Sequence, residues 1–141
     1  MRTRTASAVW NGGLRGGNGT FKGETGLGGA YSFLSRFEDG QGSNPEELLA
    51  AAEASCYSMA LSGALEKNGT VATKIETTAA CTIEKVGEKQ TVTRMSLTVK
   101  GTVPGIDKAT FQRLAEETRT GCPISRALNP SVTVTVKAEL A

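Results

Sequence analysis

Three stretches in the second half of the chain alternate apolar and polar residues with a period of two. Ile75, Thr77, Ala79, Cys81 and Ile83 alternate with Glu76, Thr78, Ala80, Thr82 and Glu84. Met95, Leu97 and Val99 alternate with Arg94, Ser96, Thr98 and Lys100, and Val132, Val134, Val136 and Ala138 with Thr133, Thr135, Lys137 and Glu139. Successive side chains of a strand point to opposite faces, so each stretch predicts a strand with one wet face. Val92 is out of phase with Met95, which predicts a bulge or an earlier strand edge there. Between the second and third stretches, Asp107 is placed to cap a helix carrying Phe111, Leu114, Ala115 and Thr118 on one face, with Gly121 ending it. Pro123 then opens a short helical turn with Cys122 at its N-cap.

The first half is patterned differently. Eleven of the 17 glycines lie between Gly12 and Gly42. Short β-type runs, Ala6 to Trp10, Thr20 to Glu24 and Tyr31 to Phe37, are separated by turns such as Asn11-Gly12-Gly13 and Gly17-Asn18-Gly19. These glycines form neither a phosphate loop nor a dinucleotide fingerprint, so they are read as turn chemistry. A long helix follows from Pro45 to Lys67. Asn44 suits the N-cap, Pro45 the first helical position and Glu47 the third position of a capping box, while Asn68-Gly69 supplies the stop. Between Leu48 and Leu65 its only charge is Glu53. A helix apolar nearly all round must be covered nearly all round, and one chain of this size wraps a rod of roughly 34 Å poorly. A second subunit is therefore expected to help cover it. The sum is an α+β fold with antiparallel sheet and one dominant buried helix.

Length and composition narrow the function classes. At 141 residues the chain is expected to form a single domain, residues 1–141, with a core large enough to need no disulfides. Sixteen Lys and Arg against 14 Asp and Glu leave +2, which gives no electrostatic reason to expect nucleic acid or a membrane surface as partner. Histidine is absent, which excludes Ser-His-Asp and Cys-His catalysis, His-ligated zinc and His-ligated haem. The three cysteines contain no Cys-x-x-Cys pair, so neither an all-cysteine zinc site nor a disulfide framework is expected. The stretch from Leu48 to Leu65 is interrupted by Glu53 and Gly63 and rich in Ala and Ser, too weakly apolar for a convincing membrane span. The opening segment lacks the apolar core of a signal peptide. A cytoplasmic protein with reduced thiols is expected.

Cysteine is the strongest candidate nucleophile. Cys81 falls on the apolar face of a strand and reads as a small core residue. Cys122, at a helix start, faces N–H groups and a positive dipole end that lower a thiol pKa; it is otherwise a Cys that happens to occupy a cap. Cys56 lies mid-helix and is inert by burial unless a cation reaches it. Arg36 is the cation to watch, either stabilising a thiolate and holding a substrate oxygen or paired on the surface with Glu38 or Asp39. Glu46 sits in the first turn of the long helix, favoured there by the dipole or serving to orient Arg36 through a bidentate pair.

Five segments in order, Ser35-Arg36-Phe37-Glu38, Gly42-Ser43-Asn44-Pro45-Glu46-Glu47-Leu48, Ala54-Ser55-Cys56-Tyr57-Ser58-Met59-Ala60, Val103-Pro104-Gly105-Ile106-Asp107 and Gly121-Cys122-Pro123-Ile124-Ser125, resemble the OsmC/Ohr family of thiol-dependent hydroperoxide peroxidases. The resemblance covers nearly the whole chain and is nearer the osmotically inducible branch than the organic-hydroperoxide-resistance branch. The latter carries its arginine earlier, where Arg15 is the comparable residue here, so Arg36 is favoured. The resemblance implies an intertwined OsmC-like homodimer, with antiparallel sheets wrapped around long central helices. It implies that Cys56 attacks peroxide, that Cys122 resolves the resulting sulfenic acid as a disulfide, and that Arg36 and Glu46 activate Cys56. A lipoyl-type or other thiol would restore both cysteines, with no metal, flavin or haem cofactor. Because Glu46 and Cys56 are ten residues apart, about 15 Å along one helix, the Arg36 and Glu46 serving a given Cys56 are expected to come at least partly from the partner subunit. Phe33, Phe37, Tyr57 and Met59 either line an apolar mouth suited to alkyl or aryl hydroperoxides or belong to the core. A non-enzymatic dimeric binding protein and a thiol redox sensor are the competing functions.

Overall fold

The computed structural model describes residues 1–141 and divides into two compact units, Met1–Leu48 and Leu49–Ala141. The first unit is an antiparallel meander of β1 (Ala6–Asn11), β2 (Asn18–Gly23) and β3 (Gly28–Ser32), followed by the single turn α1 (Phe33–Phe37). The run from Tyr31 to Phe37 is thus not one strand. Ser32 stops it, because the Ser32 hydroxyl accepts from Ser35 N at 3.1 Å while the Ser35 hydroxyl accepts from Ser32 N at 2.8 Å. This reciprocal cap satisfies donors that a continuing strand would leave to a neighbour, so the alternating aromatic residues wind into a helix. Ser35 also donates to Ser43 O at 2.7 Å, tying α1 to the chain that leads into the long helix. The return between them is tight: a Cβ on Gly40 would lie 2.5 Å from Leu34 Cβ.

The long helix α2 (Pro45–Lys67) starts and stops as its sequence predicts. Asn44 Oδ1 accepts from Glu47 N at 2.8 Å. Glu47 does not complete the capping box; its carboxylate instead accepts from the Ser43 hydroxyl at 2.6 Å. At the far end Gly69, with φ +80°, lets Thr70 N donate to Leu65 O at 3.0 Å, closing the helix.

In the second unit, β4 (Lys74–Val86) and β5 (Lys89–Thr102) form a long antiparallel hairpin. Thr82 faces Arg94 but Ile83 faces Val92, so Thr93 is the extra residue of a bulge, where the phase of Val92 departs from that of Met95. The chain then passes through α3 (Lys108–Gly121) and α4 (Pro123–Leu128) before β6 (Thr133–Leu140). This helical crossover brings β6 back in the same direction, and it pairs with β5 in parallel. The sheet is therefore mixed, its β4–β5 pair antiparallel as expected and its β5–β6 pair parallel.

The core of this unit lies between one stripe of α2, the inner face of the sheet and α3. Tyr57, Leu61 and Leu65, a helical turn apart, are fully buried with Met95, Val99 and Phe111. Asp107 caps α3 by accepting from Thr110 N at 2.9 Å, and the buried face of α3 is Phe111, Leu114, Ala115 and Thr118. Gly101 is required beneath it, since a Cβ there would lie 2.7 Å from the Phe111 ring. Cys81, opposite Met95, is half-buried against this core. The opposite stripe of α2 stays open: Ala51, Ser55, Met59 and Ser62 are exposed, Met59 to 78%.

Candidate active site

The first unit supplies a fixed positive charge. The turn α1 carries Arg36, whose Nη2 donates to Glu46 Oε1 at 2.7 Å and whose Nε lies 3.2 Å from both carboxylate oxygens. Glu46 is buried in the first turn of α2, while the Arg36 side chain remains 35% exposed. A planar guanidinium gripped in this way cannot swing freely, yet keeps donors for a second oxygen. Its Cζ lies 5.1 Å from the centroid of the Phe37 ring. Phe33 and Phe37 are tilted against each other with centroids 5.1 Å apart, and both line a cavity of about 210 Å³ together with Arg36, Trp10 and Tyr31. Arg15, the alternative arginine, lies 4.6 Å over the Phe33 ring instead of on Glu46.

The second unit supplies the sulfurs. Cys56 and Cys122 are both free thiols, and their Sγ atoms lie 2.9 Å apart. Cys56 is half-buried on α2, next in sequence to the fully buried Tyr57; Cys122 is fully buried between α3 and α4. The expectation that the α4 start would serve Cys122 is corrected: Cys122 makes no side-chain cap bond, and the Ile124 N–H is directed at Cys56 instead. The Cys56 thiol is nevertheless pushed above its ordinary value. Burial is the main cause, reinforced by the hydrogen bond with Cys122 and by the electrostatic influence of Cys122 and Glu53, and the Ile124 N–H only partly offsets it. None of the groups acting on Cys56 within its unit is positive.

Glu53 is the residue the sequence reading passed over. It is fully buried one helical turn before Cys56, its Oε1 accepts from the Ser125 hydroxyl of α4, and its Oε2 has no partner. Its only signal in the sequence was being the single charge inside an apolar helix. Of the four aromatic and sulfur-bearing residues considered for a substrate mouth, Tyr57 must be withdrawn. It is fully buried and its hydroxyl donates to Ala115 O at 2.7 Å, so it is a core residue whose own proton is held more tightly than usual, chiefly by burial. Met59 is exposed on α2, and Phe33 and Phe37 face the cavity beside Arg36.

The model of the OsmC-like protein family matches residues 38–137, from the end of α1 to β6. The chain belongs to the OsmC family. It is 39% identical over 133 residues to the Escherichia coli (strain K12) protein named Peroxiredoxin OsmC, covering 93% of each chain. Among solved structures, an organic hydroperoxide resistance protein from Elizabethkingia anophelis is 25% identical with a TM-score of 0.73, covering 99% of this chain and 98% of that one. An OsmC-like protein of unknown function from Vibrio cholerae has a TM-score of 0.77 at 16% identity, over 99% of this chain and 100% of that one, which establishes the OsmC-like fold. Cys56, Cys122, Glu46 and Glu53 of this OsmC-family chain lie inside the matched segment; Arg36 lies two residues before it.

Proposed function

We propose that this chain is a thiol-dependent peroxidase that reduces organic hydroperoxides through Cys56 and Cys122. The observation that carries the reading is the pair of free sulfurs 2.9 Å apart, one on α2 and one at the start of α4. Two thiols so placed join with little movement once one of them is oxidised. The kinship with a protein named Peroxiredoxin OsmC and with organic hydroperoxide resistance proteins supports the same chemistry.

In this mechanism the Cys56 thiolate attacks the outer oxygen of the peroxide. The O–O bond breaks, an alcohol leaves after taking up a proton, and Cys56 becomes a sulfenic acid. Cys122 displaces the hydroxyl as water and the disulfide forms. A small dithiol of the lipoyl type, or another thiol, reduces it by exchange, and the reaction runs in the cytoplasm without a cofactor. Arg36 supplies the cation that the sulfur lacks in its own unit, and Glu46 aims it. The pair acts at least partly on Cys56 of a partner chain: Glu46 and Cys56 are separated by about 15 Å of helical rise, and the open stripe of small residues on α2 around the exposed Met59 leaves room for a second copy. Phe33 and Phe37, lining the cavity beside Arg36, give an alkyl or aryl peroxide an apolar bed.

One equivalent of cumene hydroperoxide should remove two thiols per chain, and excess dithiol should sustain turnover. Cys56→Ser should abolish both. Unchanged thiols in the wild-type protein would contradict the reading, and one oxidation that no dithiol reverses would make the chain a sensor.

A further inference from the structure

The peroxidase reading assigns no task to Glu53, although a buried carboxyl is a costly thing to place in a core helix. Glu53 is fully buried, with one oxygen unpartnered. Its one hydrogen bond comes from Ser125, which is buried in the first turn of α4 and lies 72 positions away in sequence. The location is specific. Glu53 precedes Cys56 by three residues, so one face of α2 presents first a carboxyl and then a sulfur, and both meet the start of α4. That start needs holding. The helix α4 is only six residues long, too short to persist by its own backbone bonds, and Cys122 does not cap it with its side chain. Beside the contact between the two sulfurs, the Ser125 hydroxyl on Glu53 ties this turn to the long, well-capped α2.

Resting on the assignment of Cys56 and Cys122 as the disulfide-forming pair, we propose that Glu53 is a positioning residue of the closing step: anchored on Ser125, its carboxyl fixes the first turn of α4 and so holds the Cys122 sulfur against Cys56. In that step the S–S bond forms as the S–O bond of the Cys56 sulfenic acid breaks, and the Cys122 thiol proton departs with the hydroxyl as water. Glu53 takes no part in the electron movement. Without its hold, Cys122 spends less time within reach and the sulfenic acid survives longer.

The test follows a single oxidation of the full-length protein with one equivalent of cumene hydroperoxide. At set times the sulfenic acid is trapped with a dimedone-type reagent, and mass spectrometry compares the Cys56 adduct with the Cys56–Cys122 disulfide. Glu53→Ala and Ser125→Ala should each prolong the sulfenic acid about tenfold, the effect of one buried hydrogen bond. The double variant should be no slower than Glu53→Ala, because both changes break the same bond. Glu53→Gln keeps an acceptor for Ser125 and should restore closure to within about threefold of wild type, a rescue that mere loss of fold stability would not give. If Glu53→Ala is unfolded, Ser125→Ala decides. Wild-type closure rates in folded Glu53→Ala or Ser125→Ala, or a Glu53→Gln variant as slow as Glu53→Ala, would overturn the proposal. A wild-type protein that forms neither sulfenic acid nor disulfide would overturn the peroxidase reading itself and the role of Glu53 with it.

Discussion

The units Met1–Leu48 and Leu49–Ala141 treat charge in opposite ways. The first holds a guanidinium near its surface on a buried carboxylate, so that a permanent cation is aimed yet accessible. The second holds two sulfurs and a carboxyl in its interior, where burial and the electrostatic influence of its neighbours keep the Cys56 proton in place. Under the proposed peroxidase reading, the second unit would form the disulfide and the first would supply the activating cation, so that positioning and activation fall to separate parts of the chain.

The largest effect should come from taking away the cation. In Arg36→Ala the influences left on Cys56 all come from its own unit and keep the thiol above its ordinary value of 9.0. Peroxide reduction at neutral pH should fall about 10- to 100-fold. Because the attacking species is the thiolate, the variant should regain rate as pH rises into the alkaline range, whereas the wild-type profile should be flat there. Stability moves the other way with pH. A thiol whose folded pKa is raised keeps its full contribution below the ordinary value and loses it as pH climbs from there toward the folded value. A milder change, Glu46→Gln, keeps one acceptor for Arg36 but loses the charge and the fork. Activity should drop about fivefold with little change in melting temperature. The smallest effect belongs to the core of the second unit. Tyr57→Phe removes the hydroxyl that donates to Ala115 O and should cost about 1 kcal/mol of stability in chemical denaturation, leaving peroxide kinetics near wild type.

Much of this division was legible in the chain. The α2 boundaries follow from Asn44, Pro45 and Gly69, and the β4–β5 bulge from the phase of Val92 against Met95. The buried face of α3 follows from the spacing of Phe111, Leu114, Ala115 and Thr118. Local pattern was enough wherever periodicity and caps agreed. It failed at Tyr31 to Phe37, where the alternation of aromatic residues outweighed two serines whose reciprocal hydrogen bonds bend the chain into α1. The direction of β6 was available in principle, since a helical connection between neighbouring strands returns the chain in parallel. At the candidate site, the resemblance of five short segments picked out Arg36, Glu46, Cys56 and Cys122. Arg36 and Glu46 do pair, and so do the two sulfurs. Glu53 escaped because its meaning lies in Ser125, a partner distant in sequence that no local rule connects to it.

Whether, as proposed, a cation from one chain activates the sulfur of another is tested most directly by mixing of subunits. Arg36→Ala and Cys56→Ser proteins, each retaining about a tenth of wild-type activity or less at neutral pH, are combined and allowed to exchange. If the pair acts across the dimer, each mixed dimer contains one complete site, and random reassortment restores about one quarter of wild-type peroxidase activity. Mixtures that exchange subunits yet stay as inactive as their parents would place the cation and the sulfur of each site in the same chain and contradict the account.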